Sequence, residues 1–132
     1  MARTALLILL ILSLVFELIL TVGGFFAPEM LLAKFGVGVT PDTRFLAFVL
    51  AWLLLFVSLA IVLALVWVWR RDGGYPALCY LLGFWWIGIG LGLYLGYGRF
   101  DNLLLDGLKG VLLVLATWAA RREVAQGRPF SS

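Results

Sequence analysis

ALLILLILSLVFELILTVGGFF, residues 5–26, carries one ionisable side chain, Glu17, in a run otherwise built of aliphatic, aromatic and small residues. A helix rises about 1.5 Å per residue, so a run of this length crosses the roughly 30 Å hydrocarbon core of a bilayer. The apolar residues are continuous rather than alternating, which argues against barrel strands. Residues 45–69, 75–97 and 103–120 read the same way. The expected fold is an all-α integral membrane protein, a four-transmembrane-helix bundle forming one transmembrane domain over residues 1–132. A short interfacial helix is expected between spans 1 and 2, and a short cytoplasmic tail over residues 121–132. Composition agrees, with 64% hydrophobic and 13% charged residues. Water-soluble domains carry about half and about a quarter. A short chain cannot bury such a surplus in one aqueous core, so the rest must face lipid.

The breaks between runs carry helix punctuation. Gly23-Gly24 loosens the first exit, and Ala27-Pro28-Glu29 opens a short helix. Proline there needs no N–H, and the glutamate meets the positive end of the helix dipole. Met30, Leu31, Leu32 and Phe35 suit a segment lying on the membrane surface until Gly36 ends it. Thr40-Pro41-Asp42 supplies an N-cap, a proline and an acid for the second span. Gly73-Gly74 closes that span, Tyr75-Pro76 starts the third, Gly96 and Gly98 end it, and Asp101 or Asn102 caps the fourth. The first run is too long for a signal peptide, contains Glu17 and meets a proline after Ala27, so it is expected to be retained.

Charge placement sets the orientation. Arg3, Arg70, Arg71, Arg121, Arg122 and Arg128 fall on one side, against Lys34, Arg44 and Arg99 on the other. The positive-inside rule then puts both termini in the cytoplasm of a cell whose inner membrane holds the chain. The net charge of +3 is carried by basic residues at the ends of apolar runs, which suits a lipid bilayer as partner and not nucleic acid. With no histidine and one cysteine, Cys79, a His-dependent triad, a histidine-ligated haem and a cysteine metal cluster are excluded within one chain. No cofactor, metal or catalytic residue is expected.

Glu17, Asp106 and Lys109 are the informative residues, because ionisable groups inside spans are costly and rarely face lipid. Glu17 lies about 13 Å below the end of its span and Lys109 about 12 Å below the start of the fourth, on the same side. Asp106 and Lys109 share a helix face at i, i+3 spacing. A Glu17–Lys109–Asp106 cluster is therefore expected in the outer half of the bundle, with Arg99 or Arg44 capping it. It reads either as a polar site (a proton path, an anion pocket, a catalytic acid) or as a buried ion pair fixing helix register.

Gly88, Gly92 and Gly96 repeat at four-residue spacing in the third span, with Gly83 and Gly90 nearby. Such a stripe lets helix backbones approach closely, within the chain or between protomers. Phe84, Trp85 and Trp86 sit mid-span, away from the interface where aromatic belts form. They either line an apolar cavity for a quinone, carotenoid or lipid tail, or simply fill space or face lipid. Cys79 reads as an inert thiol, with acylation as the alternative, and the basic tail as a contact with anionic headgroups.

The segment Phe26–Val37, with its Ala-Pro-Glu, Leu-Leu and Phe-Gly elements, resembles the DoxX-like group of small bacterial membrane proteins, and Asp106-Gly107 is similar to an Asp-Gly in their last span. The resemblance implies a four-helix fold and an accessory role in a membrane redox system, and carries over no catalytic residue. The expected function is a non-catalytic accessory or scaffold component, its partner a larger membrane complex or a homo-oligomer. The alternatives are a binder or carrier of a lipophilic ligand and a small proton-coupled transporter.

Overall fold

The computed structural model describes residues 2–98 and 100–125. In order these form α1 (Ala2–Phe26), α2 (Pro28–Lys34), α3 (Pro41–Trp69), α4 (Tyr75–Tyr97), a helical turn α5 (Phe100–Asn102), a wide π-helical turn (Leu103–Gly107) and α6 (Leu108–Ala125). No strand occurs among the described residues, and four helical segments are long and apolar enough to cross a membrane. The chain is all-α, as the sequence predicts. The predicted boundaries at Phe26, Trp69, Tyr75 and Tyr97 coincide with helix ends. The fourth span also starts at Leu103 as expected, while the limits expected at Ala5, Phe45 and Ala120 lie further out, because backbone hydrogen bonding continues past the last oily residue into charged and capping positions.

Each long helix buries a stripe whose steps alternate between three and four residues. On α1 it includes Leu6, Leu10, Ser13 and Glu17; on α4, Tyr75, Cys79, Leu82 and Trp86; on the fourth span, Asp106, Gly110, Leu113 and Thr117. An average step of 3.5 residues is the seam geometry of left-handed helix packing. Large apolar residues off the seam, such as Phe56 (72% exposed) and Leu95 (73%), turn outward, where hydrocarbon and not water is their stable environment. Buried hydroxyls are satisfied within their own helices. Thr21, Ser58 and Thr117 each donate to the carbonyl four residues earlier, at 2.7, 2.9 and 2.7 Å.

The chain divides into two compact units, one of residues 12–62 and one of residues 1–11 with 63–132. In the first, Gly24 meets α3 closely: a Cβ on it would lie 2.7 Å from Cβ of Ala51. The glycine therefore serves packing and does not loosen the helix exit, which comes only at Phe26. Leu31 and Leu32 of α2 are buried with Ala47 among Leu20, Leu50 and Leu54. The short helix expected between spans 1 and 2 is therefore present, with Leu31 and Leu32 packed inward and Met30 turned outward at 54% exposure. Phe25, Phe48 and Trp52 form edge-to-face contacts at 5.3 to 6.4 Å, geometry that ring quadrupoles favour. The start of α3 is a reciprocal cap, with Thr43 N–H donating to Thr40 Oγ1 (3.1 Å) and Thr40 N–H to Thr43 Oγ1 (2.7 Å).

In the second unit α4 packs against the π turn and α6. Gly83 and Gly110 set the approach. A Cβ on Gly83 would lie 2.6 Å from Cγ2 of Val114, and one on Gly110 would collide with the Gly83 carbonyl oxygen and lie 2.8 Å from the Ile87 nitrogen. Gly98 ends α4 in the left-handed region (φ 69°), its N–H donating to Tyr94 O at 2.8 Å. Helix resumes at Phe100, so neither Asp101 nor Asn102 is the N-cap expected from the sequence. The end of α3 also differs from expectation. Arg71, and not Gly73 or Gly74, takes the left-handed step (φ 59°).

Candidate functional site

Asp106 is 8% exposed and lies in the π turn, one step before Gly107. A π turn adds a residue to the local repeat, re-aims the side chains after it and is frequent where helices carry function. Lys109, on the first turn of α6, brings Nζ to 3.7 Å from Asp106 Oδ1. The same Nζ stands 4.2 Å from the centre of the Trp86 ring. Trp86 is 1% exposed, so the cation meets its ring face away from water, where cation–π attraction is strongest. The arrangement holds a charged amine between an acid and an aromatic wall. It can stabilise an ion pair, hold an anionic group against the amine, or pass a proton from acid to base.

The tryptophan is the element that the sequence did not reveal. Reading Phe84, Trp85 and Trp86 as one cavity wall fails, since Phe84 and Trp85 are 60% and 50% exposed while Trp86 points in. Successive helical residues diverge by about 100°, so three in a row cannot line one surface. Counted at about 1.5 Å per residue from the Tyr97 end of α4, Trp86 falls within a few residues of Lys109's level.

On α1, in the unit of residues 12–62, Glu17 is 3% exposed, flanked by Ser13 and Thr21 at 3% and 4%. These residues, four apart on one helix, form a buried polar ladder. The four-residue spacing of Ser13 and Thr21 around the acid was the signal for it. Arg44 does not belong to a buried cluster. It pairs with Glu29 on the exposed side of the unit, the two side chains being 50% and 49% exposed. A backbone hydrogen bond at the start of α2 is the main cause that holds the Glu29 carboxyl below the usual range; burial opposes it, and the nearby Arg44 guanidinium adds to the lowering. Arg99 lies outside the described residues, as does Arg128.

Gly88, Gly92 and Gly96 also stand apart from the expected packing. A Cβ built on any of them meets nothing within 4 Å. Close approach within the chain falls instead to Gly83, whose seam position the four-residue stripe does not share. Cys79 is buried against Thr117 of α6, which suits an inert thiol.

Fold and site together define a class: an α-helical chain with four helices apolar enough to cross a membrane and an acid–base pair in the interior of the last. No family model matches the chain, and neither a curated protein nor a solved structure matches it significantly.

Proposed function

We propose that the chain is a non-catalytic component of a membrane system, an accessory or scaffold subunit that presents a helix face to another transmembrane helix. The observation that carries this is the open glycine face of α4. Gly88, Gly92 and Gly96 leave a shallow track with no neighbour within 4 Å, bordered by the exposed Leu91 and Leu95. Helices in lipid associate by van der Waals fit, and small residues at four-residue spacing permit the closest fit. The role agrees with what the DoxX-like resemblance implies, and the arginine distribution supports an inner-membrane location with both termini cytoplasmic. Native mass spectrometry in mild detergent tests it. The wild-type chain is expected to travel with a partner subunit or a second copy, and Gly92→Leu to travel alone with an unchanged melting curve. A Gly92→Leu chain that keeps its partner contradicts the proposal.

A second reading, a small proton-coupled transporter, is favoured by Glu17, a buried acid inside a span, since ionisable residues inside spans mark proton relays. On this reading, level counting along the sequence pairs Glu17 with Lys109. Glu17→Gln is then expected to assemble normally and lose proton-dependent flux in reconstituted vesicles. Unchanged flux in that variant removes the reading.

A further inference from the structure

One end of the unit formed by residues 1–11 and 63–132 gathers five arginines, Arg3, Arg70, Arg71, Arg121 and Arg122, against two acids, Asp72 and Glu123. Arg3 is committed to the fold: its guanidinium donates to the carbonyls of Val68 (3.4 Å) and Trp69 (3.2 Å) and lies 5.2 Å from the Trp69 ring. It thereby adds a donor to the end carbonyls of α3, of which Val68 O also accepts the Arg71 N–H. The other four arginines are exposed. Arg122 lies 5.1 Å from the Trp118 ring and Arg121 5.9 Å from the Tyr80 ring. A cation over a ring is held by its charge and keeps its N–H donors available. Asp72 is engaged locally, its Oδ1 accepting the Gly74 N–H at 2.8 Å.

Arg71 adds a separate observation. It is the left-handed residue of the turn closing α3, with Arg71 N–H donating to Val68 O (3.2 Å) and Asp72 N–H to Trp67 O (2.8 Å). That position ordinarily takes glycine, because a side chain there is strained. An exposed arginine at this point works against the backbone, which makes a role for its guanidinium worth testing.

We infer that this arginine–aromatic end is a binding surface for the phosphodiester headgroups of anionic membrane lipids, with Arg71, Arg121 and Arg122 as the phosphate donors. Guanidinium presents paired donors to phosphate oxygens, and aromatic rings that brace the cations suit interface depth. The inference stands on this end of the molecule alone and is independent of any protein partner.

The test is reconstitution in nanodiscs of equal phosphatidylglycerol and phosphatidylcholine, reading the lipids retained after release by native mass spectrometry. The wild-type chain is expected to retain phosphatidylglycerol preferentially. Arg121→Gln with Arg122→Gln is expected to lower that preference about fivefold per arginine, while Arg44→Gln, at another site, leaves it unchanged. Arg71→Gly separates the roles: it relieves the left-handed strain, so the melting temperature in pure phosphatidylcholine rises while the anionic preference falls. No preference in the wild type overturns the proposal, as does an Arg71→Gly chain that keeps the full preference or melts lower than the wild type.

Discussion

Two sets of glycines on α4 have the same chemistry and opposite surroundings. Gly83 lies on the seam, where an added methyl strikes Val114 and the Gly110 carbonyl; Gly88, Gly92 and Gly96 face open space. The difference follows from helical phase. Gly83 falls with Cys79, Trp86 and Gly90 on steps of three and four, while Gly88 lies two residues from both Trp86 and Gly90 and so begins its series on the opposite side of the helix, about 200° round. Glycine spacing alone therefore does not identify the packed face of a membrane helix. The phase of the other buried residues does. The distinction matters for the proposed role, because Gly83 is consumed by the fold whereas Gly88, Gly92 and Gly96 are not.

The largest expected effect comes from Gly110, the α6 glycine that faces Gly83 across the seam. Gly110→Leu puts a branched side chain against the backbone of Gly83 and Ile87, where nothing flexible can yield. Destabilisation of about 3 kcal/mol or more is expected, seen as loss of the folded peak in size-exclusion chromatography and a collapsed thermal melt in detergent. A melt within a degree of the wild type is incompatible with the close α4–α6 contact.

Next comes the ion pair that this contact encloses. Lys109→Met leaves Asp106 buried without its nearby amine and is expected to cost about 3 kcal/mol. Combining it with Asp106→Asn should recover most of that loss, since removing both charges is far less costly than removing one. A double-mutant cycle in thermal denaturation measures the coupling; additive losses mean that the two side chains do not interact.

The open set should behave in the opposite way. Gly92→Leu is expected to change the stability of the isolated chain by less than about 0.5 kcal/mol, or to raise it slightly through helix propensity. Setting this variant beside Gly83→Leu in one melting experiment sharpens the comparison. Equal losses in the two erase the distinction between seam and open face.

The fold was legible because bilayer thickness sets an absolute length scale for oily helices, and Pro28, Thr40 and Pro41 mark helix starts by local rules that need no tertiary context. The Asp106–Lys109 spacing was legible for the same local reason. Trp86 as the lysine's neighbour was not, because it depends on which face of α4 meets α6, and three consecutive aromatics give no phase. Arg71 was missed because the downstream pair Gly73-Gly74 offered an easier left-handed step. Arg44 was assigned to the buried cluster on sidedness alone, whereas Glu29, placed by the α2 turn, is the acid it meets.

The smallest expected effect is at that surface pair. The Glu29 carboxyl is held below its ordinary value, so its contribution is full above the unfolded carboxylate range. It is lost as pH falls through the lower, folded value. Glu29→Gln should remove that slight acid-side slope from the melting temperature, and 1 M salt should flatten it in the wild type. A slope of equal size in Glu29→Gln assigns it to another carboxylate.

That the four oily helices cross a membrane is tested most directly by cysteine labelling in whole cells, in a Cys79→Ala background. Gly38 and Gly73 have open space around them, so Gly38→Cys and Gly73→Cys report without disturbing the fold, and Glu123→Cys reports on the end of α6. An impermeant maleimide should label position 38 in intact cells, and positions 73 and 123 only after the membrane is opened. Labelling of 73 and 123 from opposite faces contradicts the four crossings and the orientation together.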